Sequence, residues 1–96
     1  MICAGILTYG DPDVVHAVRP RHRAYVHGLL ESGRALSGGT LQPEFGGLFL
    51  YVVDSVDEAR ELARNDPFVT EGAVVRWEVH EYETHGVRPE LLVVTG

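Results

Sequence analysis

Lysine is absent from this 96-residue chain, and that gap alone removes two classes of chemistry. No side chain can form a Schiff base with a carbonyl substrate, and none can serve as the lysine of a phosphate-binding P-loop. The single cysteine, Cys3, cannot make an internal disulfide, and four Cys/His ligands at zinc-finger spacing are missing. Cys3 falls in an apolar run and reads as an inert core thiol. No apolar run reaches the about eighteen residues of a membrane span, and no charged region precedes the first apolar stretch. Basic residues are few, 8 Arg against 14 Asp plus Glu, for a formal charge of −6 with His neutral. An acidic chain without a basic tract gives nucleic acid no electrostatic footprint. What remains is a globular composition, 45% apolar. It suits one domain over residues 1–96, with a thin core if monomeric. The expectation is a soluble, cytoplasmic domain with neither membrane nor nucleic-acid partners.

Turn residues divide the chain. Ile2–Tyr9 (ICAGILTY) is almost wholly apolar and stops at Gly10-Asp11-Pro12, which predicts a strand buried on both faces. Asp11-Pro12 is a helix-start signal, and Arg19-Pro20 is a second one, so the helical stretch from Pro12 to Ser32 is expected to kink or break there. Gly33 stands where a helix C′ glycine belongs. Ala35–Gln42, interrupted by Gly38-Gly39, reads as a weaker strand. A turn over Gln42–Gly47 leads to Leu48–Val53, a second strand apolar on both faces. Ser55-Val56-Asp57-Glu58 is a capping box opening a helix with Val56, Ala59, Leu62 and Ala63 on one stripe, ending by Asp66 ahead of Pro67. In the final strand, Ala73–Tyr82, Val75, Trp77 and Val79 alternate with Arg76, Glu78 and His80. A short apolar tail, Leu91–Val94, lies in a segment, 86–96, to which no role is assigned.

The order strand, helix, strand, strand, helix, strand predicts an α+β, ferredoxin-like βαββαβ fold with an antiparallel sheet. The first and third strands are then central, and both helices cover one face. The other face would expose a large apolar patch of a kind monomers rarely tolerate, and sheet-to-sheet homodimerisation, with a higher oligomer as a further option, is the simplest cover.

Stepping 100° per residue along the first helix puts His22 in line with Leu29 (about −20°) and Val26 (about 40°), and Tyr25 at about −60°. His27 at about 140° and Glu31 at about 180° face solvent. A histidine on the sheet-facing stripe is either a core imidazole bonded to a backbone carbonyl or a general acid/base near neutral pH. Arg19, Arg21 and Arg23 crowd the expected second helix start, where the macrodipole disfavours cations. They either pair with nearby acids or mark function, with Arg19 holding an anionic substrate oxygen or orienting a carboxylate. Asp66 alone reads as a turn residue before Pro67. Yet the split βαβ arrangement brings the start of the first helix and the end of the second to one end of the sheet, so Asp66 can reach His22 and fix its tautomer. Gly39 lets a ligand approach the backbone. His80, Glu81, Glu83 and His85 are metal-capable, but a strand turns Glu81 and Glu83 away from His80, and no metal site is expected. The glycine pairs lack the setting of a dinucleotide loop.

Arg19-Pro20-x-His22, Gly33 with Leu36 and Gly39, the Ser55 helix, and Asp66-Pro67-Phe68 with Gly72 resemble, in this order, the YCII-related family. The resemblance runs from the first strand to about Tyr82. It implies a dimeric α+β barrel of ferredoxin-like protomers, similar to muconolactone isomerase. It also implies a His–Asp pair, here His22 and Asp66, in a pocket between helices and sheet. The candidate substrate contacts around that pair are Arg19, Tyr25, Gly39 and Phe68. Family chemistry includes dechlorination of a hydroxylated aromatic. Thr40 departs from the proline that relatives often carry there. The favoured function is a cofactor-free enzyme in which His22, oriented by Asp66, performs elimination, isomerisation or dehalogenation on a small organic anion or phenol. The alternatives are a non-catalytic small-molecule-binding module of the same fold and a cofactor-free monooxygenase of the related dimeric-barrel group.

Overall fold

A computed structural model describes residues 1–92. The elements run β1 (Ile2–Tyr9), α1 (Pro12–Glu31), β2 (Ala35–Leu41), β3 (Gly46–Val52), α2 (Val56–Arg64), α3 (Pro67–Thr70) and β4 (Val74–Glu81), followed by a 3₁₀ turn at Pro89–Leu91. The sheet order is β2-β3-β1-β4, with every neighbour antiparallel. This is the ferredoxin-like α+β fold, with the two apolar strands β1 and β3 at its centre.

Alternation along the central strands separates two faces. Cys3 and Leu7 of β1, with Phe49 and Tyr51 of β3, are buried beneath the helices. α1 lies over β2, and α2 lies over β1 and β4. The opposite face presents Ala4 and Ile6 beside Leu48, Leu50 and Val52, of which Leu48 and Val52 are 37% and 40% exposed. Along its β4 edge run Arg76, Glu78 and His80, with Glu78 accepting a 2.7 Å bond from His80 and pairing with Arg76.

Three expectations need correction. α1 does not break at Arg19-Pro20 but continues for 20 residues with Pro20 inside it. Proline removes the bond to the carbonyl four residues earlier, that of His16. Both Pro20 and His16 lie on the exposed side, where water can serve the released carbonyl, while buried Val15, Val18, His22 and Leu29 hold the helix on either side. The arginine cluster is therefore mid-helix, not at a helix start. Second, a short helix, α3, follows Asp66. Its start repeats the Asp-Pro signal of α1, with the Asp66 carboxylate accepting from the Phe68 N–H. Third, Val75 is 74% exposed, because the β1–β4 register shifts between Thr8 and Tyr9 and a bulge breaks the alternation. Val74 takes its place against the core. In the apolar tail, Leu91 and Leu92 are exposed, and Val93 and Val94 lie outside the described residues.

Gly33 does end α1 as expected, with φ +76°. The Arg34 N–H reaches Leu29 O at 2.9 Å and the Gly33 N–H reaches Leu30 O at 3.2 Å, the two bonds of a Schellman motif. Among the described residues no helix is long and apolar enough to cross a membrane.

Candidate active site

An uninterrupted α1 puts His22 at its middle, pointing down at the sheet. α3 brings Asp66 to meet it. The imidazole Nδ1 lies 2.8 Å from Asp66 Oδ1 and 3.0 Å from Oδ2, and Oδ1 also accepts the Phe68 N–H at 2.9 Å. His22 is 8% exposed and Asp66 1%. One carboxylate thus caps a helix and grips a histidine. An ionised carboxylate only accepts hydrogen bonds, so the contact holds the imidazole proton on Nδ1 and leaves the Nε2 lone pair unused. Among the described residues no protein group bonds Nε2, and no buried side-chain nitrogen or oxygen lacks a partner, so Nε2 opens to the cavity that His22 lines.

Aromatic rings fix the plane of the imidazole. Phe68 stacks on it, with centroids 3.9 Å apart and planes 10° apart, and Phe49 meets it edge-on at 5.3 Å. Tyr9 closes the far side of Phe68 at 5.3 Å. Phe49 has its position because its neighbours are glycines. A Cβ at Gly38 or at Gly47 would come within 2.8 Å of the ring.

The cavity, about 520 Å³, lies between α1 and β2. Its helix wall carries Arg19, Arg23 and His27 at four-residue spacing, and its strand wall is Gly38, Gly39 and Thr40. A smaller cavity of about 250 Å³ adjoins it and includes Gly10, Pro12, His16 and Glu44 in its lining. Tyr9 and Arg19 line both.

His22, Asp66, Arg19, Gly39 and Phe68 therefore converge. Arg19 does not touch Asp66, however. It pairs with Glu44 at 2.6 Å across the cavity border. Phe68 supports the imidazole and does not line the cavity. Tyr25, expected near the substrate, stands apart: its hydroxyl donates to the Leu62 carbonyl of α2 at 2.6 Å, which ties α1 to α2. Burial, and then the nearby Asp66 charge, push the Tyr25 and Tyr51 phenols above their ordinary pKa, so both stay neutral across the physiological range.

Several lining or supporting residues escaped the sequence reading, among them His27, whose helical angle placed it toward solvent. Phe49 looked like core, and only the cross-strand register that sets Gly38 against it signals its role. Tyr9 was simply the end of a strand. Glu44 was a turn residue. Arg23 was noted only for its position beside the stripe, yet it lines the cavity and has no ion-pair partner among the described residues.

The solved structure of 5-chloro-2-hydroxyhydroquinone dehydrochlorinase (TftG) from Burkholderia phenoliruptrix AC1100, in complex with 2,5-dihydroxybenzoquinone, is similar to this chain with a TM-score of 0.71 and 21% identity. The similarity covers 90% of this chain and 96% of that one, which shows a common fold. No curated protein matches. The profile of the YCII-related domain matches residues 3–83, from the start of β1 past the end of β4, and with it both partners of the His22–Asp66 pair. The chain belongs to the family of YCII-related domains.

Proposed function

We propose that this protein is a small-molecule enzyme in which His22 moves protons and Asp66 orients it. The observation that carries this reading is the buried pair itself, with Nδ1 held by both carboxylate oxygens and Nε2 facing a cavity large enough for a substituted benzene. An imidazole with its tautomer fixed and its plane held is suited to general acid/base catalysis. Arg19 and Gly39 hold the substrate, a small organic anion or phenol, with Arg23 and His27 at the rim.

The substrate class is a halogenated, hydroxylated aromatic. Support comes from the fold shared with a dehydrochlorinase bound to a dihydroxybenzoquinone. Loss of HCl from a chlorinated trihydroxybenzene needs only proton transfers. One phenolic proton moves to the chlorine-bearing carbon, a second leaves with chloride, and two hydroxyls become quinone carbonyls. The two ring carbons that bear these hydroxyls are oxidised as the chlorine-bearing carbon is reduced, so no external oxidant enters. His22 Nε2 takes the proton from oxygen and returns it to carbon. The protein acts as a homodimer joined through the apolar sheet face opposite the helices.

The test is chloride release and quinone absorbance from 5-chloro-2-hydroxyhydroquinone, with Asp66→Asn as the decisive variant. Asparagine keeps an acceptor for the Phe68 N–H and is a good N-cap, so the fold should survive. Its amide would donate to Nδ1 and force the opposite tautomer, and turnover should fall roughly 10²–10⁴-fold. Unchanged turnover in Asp66→Asn, or recovery of intact ligand from the wild-type protein, overturns the assignment.

A further inference from the structure

Arg19 is 20% exposed and Glu44 57%, and the two meet at 2.6 Å where the two cavities adjoin. Glu44 sits in the turn between β2 and β3, with its N–H bonded to Gln42 Oε1 at 2.9 Å and the Phe45 N–H closing the turn on Leu41 O at 3.0 Å. Its φ is +37°, in the left-handed region where glycine, asparagine and aspartate are the usual occupants. A glutamate held in that conformation directs its carboxylate onto the one arginine that lines both cavities.

We propose that Glu44 is a specificity-determining residue that competes with substrate for Arg19. The inference rests on the reading of the cavity as a ligand site and adds how that site discriminates by charge. The pair is asymmetric. Glu44 is mostly exposed, so a displaced carboxylate is taken up by water. Arg19 is mostly covered, so its guanidinium needs a replacement oxygen from inside the cavity. A neutral ligand offers none and leaves the pair closed. A ligand carrying a carboxylate or phenolate replaces Glu44 on Arg19, opens the border between the cavities and extends into the smaller one. Exposed ion pairs are weak, so the exchange is readily reversible. Arg23, four residues along the same helix wall and unpaired among the described residues, attracts the anion without discharging Glu44.

Benzoate and benzamide, matched in shape and differing by one charge, test this when titrated into the folded wild-type protein, Glu44→Gln, Arg19→Gln and the double variant, followed by NMR. Removing the competitor should tighten benzoate binding by up to about fivefold, the upper end of what an exposed ion pair commands, and leave benzamide unchanged. Arg19→Gln should abolish that gain, and the double variant should match Arg19→Gln. Equal or weaker benzoate binding in Glu44→Gln, an equal gain for benzamide, or no benzoate binding in any form overturns the proposal. Chloride release by the Asp66 variant reads the catalytic assignment separately, since neither probe contains a leaving group.

Discussion

Tyr51 and Tyr25 share the space around Asp66, and both are held neutral there. Burial is the larger cause and the carboxylate the next, and both act against phenolate. The consequence for stability has a definite sign. A phenol whose pKa is raised on folding contributes stability that is fully present below its unfolded value of 10.0 and is lost as pH rises through the folded value. Tyr51, 2% exposed, should therefore dominate the alkaline limb. Urea midpoints at pH about 8 and about 11 should show a smaller loss in Tyr51→Phe than in the wild type. An identical loss in the two proteins would place the alkaline sensitivity elsewhere. At this scale the sequence revealed His22 and Asp66, because one lies on a helical stripe and the other before a proline. It hid Phe49 and Glu44, because their roles depend on a cross-strand register and a left-handed turn that no local pattern encodes.

Elements succeed or fail as readings according to how local their causes are. The capping box at Ser55 forms with one change of partner: Ser55 Oγ accepts the Glu58 N–H at 3.1 Å, while the Glu58 carboxylate accepts from the Asp54 N–H, one residue before the cap. The local pattern around Pro20 points to a break that does not occur, because the penalty of about 3 kcal/mol for a helix interior is outweighed by buried residues on both sides. Alternation along one strand cannot place Val75, because the bulge that turns it outward arises in the pairing with a neighbouring strand. Pro20→Ala follows as a prediction. It restores an N–H for the His16 carbonyl and should stabilise the protein by about 1–3 kcal/mol, read as a rise in the denaturation midpoint. A loss of stability would mean that Pro20 fits α1 without penalty. If turnover falls while stability rises, the local shape that Pro20 imposes on α1 is part of what sets the His22 ring.

For the whole molecule the apolar sheet face calls for a cover, and the proposed homodimer supplies it. Leu48, Leu50, Val52, Ile6 and Ala4 form its centre, and the Arg76–Glu78–His80 row borders it. Sedimentation at micromolar concentration should give about twice the 10.6 kDa chain mass. Leu50→Arg should shift it to the single chain while leaving the far-ultraviolet spectrum native. A monomeric wild type would leave this face without a partner. The site and the sheet are also joined by a chain of bonds that begins at Asp66. Oδ1 holds the Phe68 N–H, the Phe68 carbonyl accepts from Ala73 at 2.9 Å, and the Ala73 carbonyl accepts from Gly10 at 2.8 Å, just ahead of α1. The amide proton of Phe68 is therefore a spectator placed on the very oxygen that grips His22. Its chemical shift and exchange rate would register each change of charge or partner at that oxygen, so one backbone signal allows the proton traffic of the site to be observed without a substrate.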